Sequence, residues 1–329
     1  MRAILILGVA LAHTAAFCQD WQYYGGDPGG RHYSRAEQIH RDNVHQLEVA
    51  WTYRSGGRAS VPELLARSSG QATPILLPRD AGESLVYCTP FNEVIALDPG
   101  NGERRWRYDP GIDVAGERPL RCRGLAYYEE TRVPAHNACR HRLFTNTHDR
   151  RLLALDALTG EPCTAFGNAG QVAQHGRGQP ADHISNSSPP LAAGGLVVTG
   201  STVIDFHQAQ APRGTVQAFD SLTGALRWSF DPLQGQPRSG GANVWAPMSV
   251  DGELGLVFLP TSTPSPDYYG VNRPGDNLYA NSVVALDLQT GAVRWYFQHV
   301  RHDLWDYDTP AQPILFSWEK QGQVIPALA

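Results

Sequence analysis

His302, Asp303, Asp306 and Asp308 fall within seven residues around Trp305, in the segment HDLWDYD. Three carboxylates and an imidazole this close can surround a hard divalent or trivalent cation with oxygen, and leave one carboxylate to remove a proton. Asp residues that follow a strand also cap turns, so the cluster by itself leaves both readings open. What decides between them is the element that carries it. The residues just before the cluster are an apolar run into Ala285-Leu286-Asp287, then Thr290-Gly291 and Trp295.

That pattern occurs three more times. Ala96-Leu97-Asp98 leads through Asn101-Gly102 to Trp106, Ala154-Leu155-Asp156 through Thr159-Gly160 to Phe166, and Ala218-Phe219-Asp220 through Thr223-Gly224 to Trp228. A strand entering a turn needs these residue types: Asp and Thr cap the turn's backbone groups, Gly takes a positive φ cheaply, and the aromatic begins the next strand. The copies start at Ala96, Ala154, Ala218 and Ala285, spacings of 58, 64 and 67 residues. Such a period fits a four-stranded propeller blade with insertions in its loops. Trp51-Thr52-Tyr53 reads as the aromatic end of one further copy. Proline-containing strands around Pro74, Pro189-Pro190 and Pro247 open the units, and 21–33, rich in aromatics and glycine, suits a strand or loop that closes against a neighbouring blade. Longer insertions fall at 127–136, 171–186 and 263–281.

Composition agrees with an all-β chain rich in turns: 33 Gly and 24 Pro among 329 residues. The charge balance, 27 Lys plus Arg against 32 Asp plus Glu with no basic block, gives no reason to expect a nucleic-acid partner. Residues 1–18 have the form of an export signal: Arg2, an apolar run over 3–12, and small residues before Phe17-Cys18. A periplasmic location is the expectation, with 19–329 as one domain. Cys88, Cys122, Cys139 and Cys163 are an even number for an oxidising compartment. Pairing of 139 with 163 and of 88 with 122 is favoured over four buried thiols.

Five motifs in order, CRGLAY at 122–127, GSTVID at 200–205, NVWAP at 243–247, LPTSTPSPD at 259–267 and HDLWDYD at 302–308, resemble the pyrroloquinoline quinone (PQQ) dependent dehydrogenases. The glucose and polyol dehydrogenase-like quinoproteins are the branch they resemble most. The resemblance implies an eight-bladed β-propeller with the quinone and a metal ion on its axis. It implies oxidation of an alcohol, polyol or sugar, and a separate electron acceptor, a quinone or a cytochrome c, since no Cys-x-x-Cys-His haem motif occurs. That acceptor would bring any association with a membrane. Carried over residue by residue, Asp306 is the base that takes the alcohol proton, and Trp245 the floor under the quinone. Arg123 and Thr202 contact the quinone, and Asp205, Thr263, Asp306 and Asp308 surround the metal.

Such a set is physically coherent: a flat, tricarboxylated ring needs an aromatic face, a cation at its carbonyl and a guanidinium at its oxygens. The resemblance implies calcium, and Asp308 matches the additional carboxylate of lanthanide-using members. This sequence also departs from the pattern. Phe206 stands where relatives carry Asn, Thr263 replaces Asn, and Pro119 replaces the His of glucose dehydrogenases, which points away from glucose itself. At about 60 residues per blade, 329 residues build four or five of the eight blades, as a truncated frame or half of a split gene would. The competing expectation is a non-catalytic propeller scaffold, or an inactive fragment of the enzyme. A scaffold has no reason to keep Asp205, Trp245 and Asp306 together.

Overall fold

A computed structural model describes residues 21–329 apart from 57, 59, 60, 115–118, 176–182, 205–209, 235 and 237. The proposed signal, 1–18, and Asp205 therefore lie outside the described residues. Four sheets of four antiparallel strands follow one another along the chain. The first is Ile75–Leu76, Leu85–Cys88, Val94–Leu97 and Arg104–Tyr108; the second Ala126–Glu129, His141–Asn146, Arg151–Asp156 and Gln171–Ala173. The third is Leu191–Ala193, Leu196–Thr199, Val216–Asp220 and Leu226–Phe230; the fourth Ser249–Asp251, Leu256–Pro260, Ser282–Asp287 and Val293–Gln298. In each, every strand pairs with the next in sequence, so the sheets are meanders. A hairpin, Leu315–Lys320 with Gln323–Leu328, follows the fourth.

The sheets stack face on face. Leu143 and Leu155 of the second sheet join Ile75, Val86 and Val94 of the first in one apolar cluster. Phe144 and Ala154 meet Ala192, Val197 and Phe219 of the third, and Val198, Val216 and Ala218 meet Val257, Leu259, Val284 and Leu286 of the fourth. The second and third sheets thus present apolar side chains to neighbours on both faces, and central strands such as Val94–Leu97 are fully buried. The first strands of the second, third and fourth sheets approach one another, as inner strands about a shared axis do.

The repeated turn supplies the spacing between sheets. Oδ1 of Asp156 accepts from the N–H of Leu158 and Thr159 at 2.9 and 3.0 Å. Asp220 and Asp287 do the same for their own turns, and Asp98 accepts from Gly100 at 2.8 Å. The glycine closing each turn has φ between +71° and +76°. Onto this glycine lies the indole of the preceding unit: Trp51 on Gly102, Trp106 on Gly160, Trp228 on Gly291. The Nε1 of Trp51 and of Trp228 also donates to a carbonyl of the turn it covers, Pro99 and Leu288. Trp295 holds the same register opposite Ala285 but covers no such turn among the described residues and is 41% exposed.

The second copy differs from the sequence expectation. Phe166 does not begin a strand; it is buried in the loop with its ring 5.5 Å from that of Phe144, and the strand starts at Gln171. Pro162 has no N–H for the ladder, and the disulfide Cys139–Cys163 holds the chain aside. The other disulfide is Cys88–Cys122, so both expected pairs form. The prolines expected to lie within opening strands precede them: the strands begin at Ile75, Leu191 and Ser249. Residues 21–30 run across the sheets as anticipated, with Trp21 paired to Leu76 of the first, Pro28 accepting from Val250 of the fourth, and Gly29 from Leu315 of the hairpin.

A Cβ at Gly160 would stand 2.5 Å from the Trp106 ring in a backbone with φ +76°. Gly160→Ala is expected to lower stability by at least the ~1–3 kcal/mol of backbone strain. Gly255→Ala, also at positive φ but with no atom within 4 Å of its Cβ, should cost visibly less in urea denaturation. Equal losses would mean that the indole contact does not set the spacing.

Candidate active site

The loop after the last strand of the fourth sheet carries the acidic cluster, and Asp303 shapes it from within. Asp303 is 1% exposed. Its Oδ1 accepts from the N–H of Trp305 at 2.9 Å, while Oδ2 accepts from Tyr307 N–H at 2.7 Å, Thr263 Oγ1 at 2.7 Å and Asn281 Nδ2 at 3.0 Å. The buried Arg273 donates to its carbonyl oxygen. A carboxylate spending its acceptors on its own loop turns that loop tightly, and Asp306 is left at φ +62° with its side chain partly exposed. His302 faces elsewhere, its Nδ1 2.8 Å from the carbonyl of Gly275.

Asp308 reaches the next part of the site. Its Oδ2 accepts from Trp245 Nε1 at 2.7 Å and its Oδ1 from Thr263 N–H at 2.8 Å. Over the Trp245 ring, 4.8 Å from its centroid, lies the guanidinium of Arg123. Arg123 Nη1 donates to Ser187 Oγ, which is 2.8 Å from Thr202 Oγ1. Thr202, Arg123, Trp245, Asp308 and Thr263 therefore form one unbroken run of contacts drawn from three sheets and their loops. Asp306 joins it through the charges of Asp308, Asp267 and Asp303. Ser187, Asn281 and Asp267 belong to the site without having been singled out from sequence. Asp267 closes the motif at 259–267, whereas Ser187 and Asn281 stand out by no local pattern.

The electrostatics around the indole are of two kinds. Burial, with neighbouring carboxylates, holds Asp306 up to about 6, and burial raises Asp308 and Asp267 as well. None of the three has an ion-pair partner among the described residues, and Asp267 Oδ1 is buried with no hydrogen-bond partner. Burial, with the nearby Arg121, pushes Arg123 down to about 10. Acids that resist ionisation are short of a cation, and a guanidinium that resists charge is short of an anion. Asp308 and Thr263, with Asp306 nearby, could lend oxygens to a cation, and Arg123 and Thr202 could bond an anionic group. Thr263 Oγ1 donates to Asp303 and accepts from Asn281, leaving one lone pair for such an ion. Among the described residues no three His, Cys, Asp or Glu side chains converge as a ready cage. Arg123 occupies one face of Trp245, so a flat guest on that face would move the guanidinium to its rim.

Residues 21–329 match the family model described as the glucose/ethanol/alcohol dehydrogenase β-propeller domain of PQQ proteins. The chain belongs to this family of quinoprotein dehydrogenases. It is 34% identical over 339 residues to the quinate/shikimate dehydrogenase (quinone) of Acinetobacter baylyi, covering 94% of this chain and 41% of that one. It is 35% identical to the glycerol dehydrogenase large subunit of Gluconobacter oxydans, covering 94% and 43%. A quinohemoprotein alcohol dehydrogenase from Pseudomonas putida superposes with a TM-score of 0.78 at 26% identity, over 94% of this chain and 44% of that structure. The chain spans about two fifths of the length of these relatives, and its sheets are blades of a β-propeller of their type.

Asn at position 306 imitates the protonated acid. Because the folded Asp306 keeps its proton up to about 6 against an ordinary 3.8, its contribution to stability is whole below about pH 4 and is lost as pH rises through 6. With chelator present, Asp306→Asn is expected to gain stability relative to the parent between pH 4 and 7 in urea titrations. A gap that stays constant across this window would show the acid to be unperturbed.

Proposed function

We propose that this chain forms the part of a PQQ-dependent dehydrogenase that seats the quinone and its metal and takes the proton from an alcohol, polyol or sugar. The observation that carries the reading is the run Thr202, Ser187, Arg123, Trp245, Asp308, Thr263, with Asp306 beside it. When bound, the quinone would accept the hydride and the cation would polarise its carbonyl. The chain's own residues do the rest. Trp245 offers a flat face whose edge is locked by Asp308, and Arg123 with Thr202 hydrogen-bonds the anionic rim.

Asp306 stands partly exposed, poised near neutrality, to accept the hydroxyl proton at its carboxylate. A neighbouring cation would hold that carboxylate ionised at lower pH. Asp205 completes the metal shell in this reading, with calcium as the ion and a lanthanide as the alternative. Export to the periplasm suits the two disulfides. Electrons would leave to a separate quinone or cytochrome c, and association with a membrane would come through that partner. Because relatives are named for quinate, glycerol and glucose, a cyclic hydroxy acid, a linear polyol and a sugar are the substrates to compare.

Reconstitution with PQQ and Ca²⁺ or a lanthanide, followed by dye reduction with that panel, is expected to give activity that falls about 10²–10⁴-fold in Asp306→Asn. Quinone uptake is read separately from quenching of tryptophan fluorescence. Uptake without turnover would assign the chain as an inactive fragment, and no uptake would leave the propeller scaffold.

A further inference from the structure

Arg150 lies in the turn between the second and third strands of the second sheet, with φ +64°, and is 2% exposed. A guanidinium so buried costs several kcal/mol unless it is paired or well hydrogen-bonded. No carboxylate pairs with it among the described residues. Its donors go to three backbone carbonyls instead: Nε to His175 at 2.8 Å, and Nη1 to Ser185 at 3.3 Å and Gly200 at 3.1 Å. Its Nη2 is buried without a partner among the described residues.

Two of those carbonyls, of Ser185 and Gly200, belong to the segments that carry Ser187 and Thr202. Ser185 lies two residues before Ser187, and Gly200 two before Thr202. A second layer ties the same segments together. Asn186 Nδ2 donates to Gly200 O at 3.1 Å and to Gln174 Oε1 at 3.3 Å, while Gln174 Nε2 donates to Asn146 Oδ1 at 2.6 Å. Ser201 N–H then reaches Val244 O at 3.1 Å, one residue before Trp245. A Cβ at Gly200 would collide with that same carbonyl, so the strands have no slack. A methionine here would keep the volume and lose every one of these donors.

We propose that Arg150 is a positioning residue for the quinone seat: by clamping the carbonyls of Ser185 and Gly200 it sets the separation of Ser187 and Thr202, and through them the place of Arg123 over Trp245. This rests on the proposed quinone binding, and it assigns the work to a residue that touches neither quinone nor metal. The clamp needs the forked geometry of a guanidinium, because one ammonium cannot reach three carbonyls on separate segments in the same way.

The test is titration of the full chain with PQQ, followed by tryptophan quenching, for the parent, Arg150→Met and Arg150→Lys, with thermal denaturation of each recorded separately. Arg150→Met is expected to raise the quinone Kd about tenfold, the lower end of what residues behind a bound group carry. Arg150→Lys should raise it by less but measurably, because charge without the fork restores only part of the clamp. A merely structural role would lower the melting temperature of the variants and leave the Kd of the folded protein where it was. Should Arg150→Met not fold, Arg150→Lys decides alone: a Kd equal to the parent's overturns the clamp. A parent that binds no PQQ sinks the proposed function itself, an outcome distinct from a parent that binds and variants that bind equally well.

Discussion

An indole lying flat on a glycine is what keeps neighbouring sheets at a fixed distance. The contact needs two things at once, a turn whose closing residue has positive φ and no Cβ, and an aromatic in register on the sheet before it. The shift that separates Ala96 from Leu97 recurs between Ala218 and Phe219 and between Ala285 and Leu286, so each tryptophan arrives at an equivalent point. Where the tryptophan is missing, in the second unit, Val172 and Gly167 pack on Gly224 and a disulfide secures the loop. The chain solves one spacing problem in two chemical ways.

Sheets held at that distance bring their loops together at one end, and there the chain tolerates charges that it does not neutralise. The indole of Trp245 is bonded to Asp308 by its edge and covered by Arg123 on a face. Elsewhere the protein treats buried charge differently. Glu130, Arg132 and Asp220 form a network between the second and third sheets, in which burial, the largest single influence, is outweighed by Arg132's hydrogen bonds and charge together with bonds from Ser221 to Glu130 and from the Leu222 and Thr223 amides to Asp220, so both acids stay low. The two places differ in whether an opposite charge lies within ion-pair reach among the described residues.

Asp303 shows why the acidic segment misleads when taken residue by residue. Four acidic or basic groups lie within seven positions, yet Asp303 spends its oxygens on the loop's own amides and on Thr263, and His302 turns to Gly275. Asp306 and Asp308 are the carboxylates of the segment that do not shape its loop from within. The spacing alone cannot reveal this, because which carboxylate turns inward depends on Asn281 and Arg273, contributed by a different part of the chain.

The amino-acid order determined the turns, the strand periodicity and the identity of the motif residues, since these rest on local backbone preference or on residue type; it favoured the cysteine pairs, and the fold brought them together. Tertiary structure decided which of those residues meet. Arg123, Trp245 and Asp308 are separated by scores of positions and become neighbours only because stacked sheets converge at their loop ends. Arg150 was invisible to sequence reading for the same reason: its three carbonyl partners are backbone atoms, which every residue has, and only the fold says which ones lie within its reach.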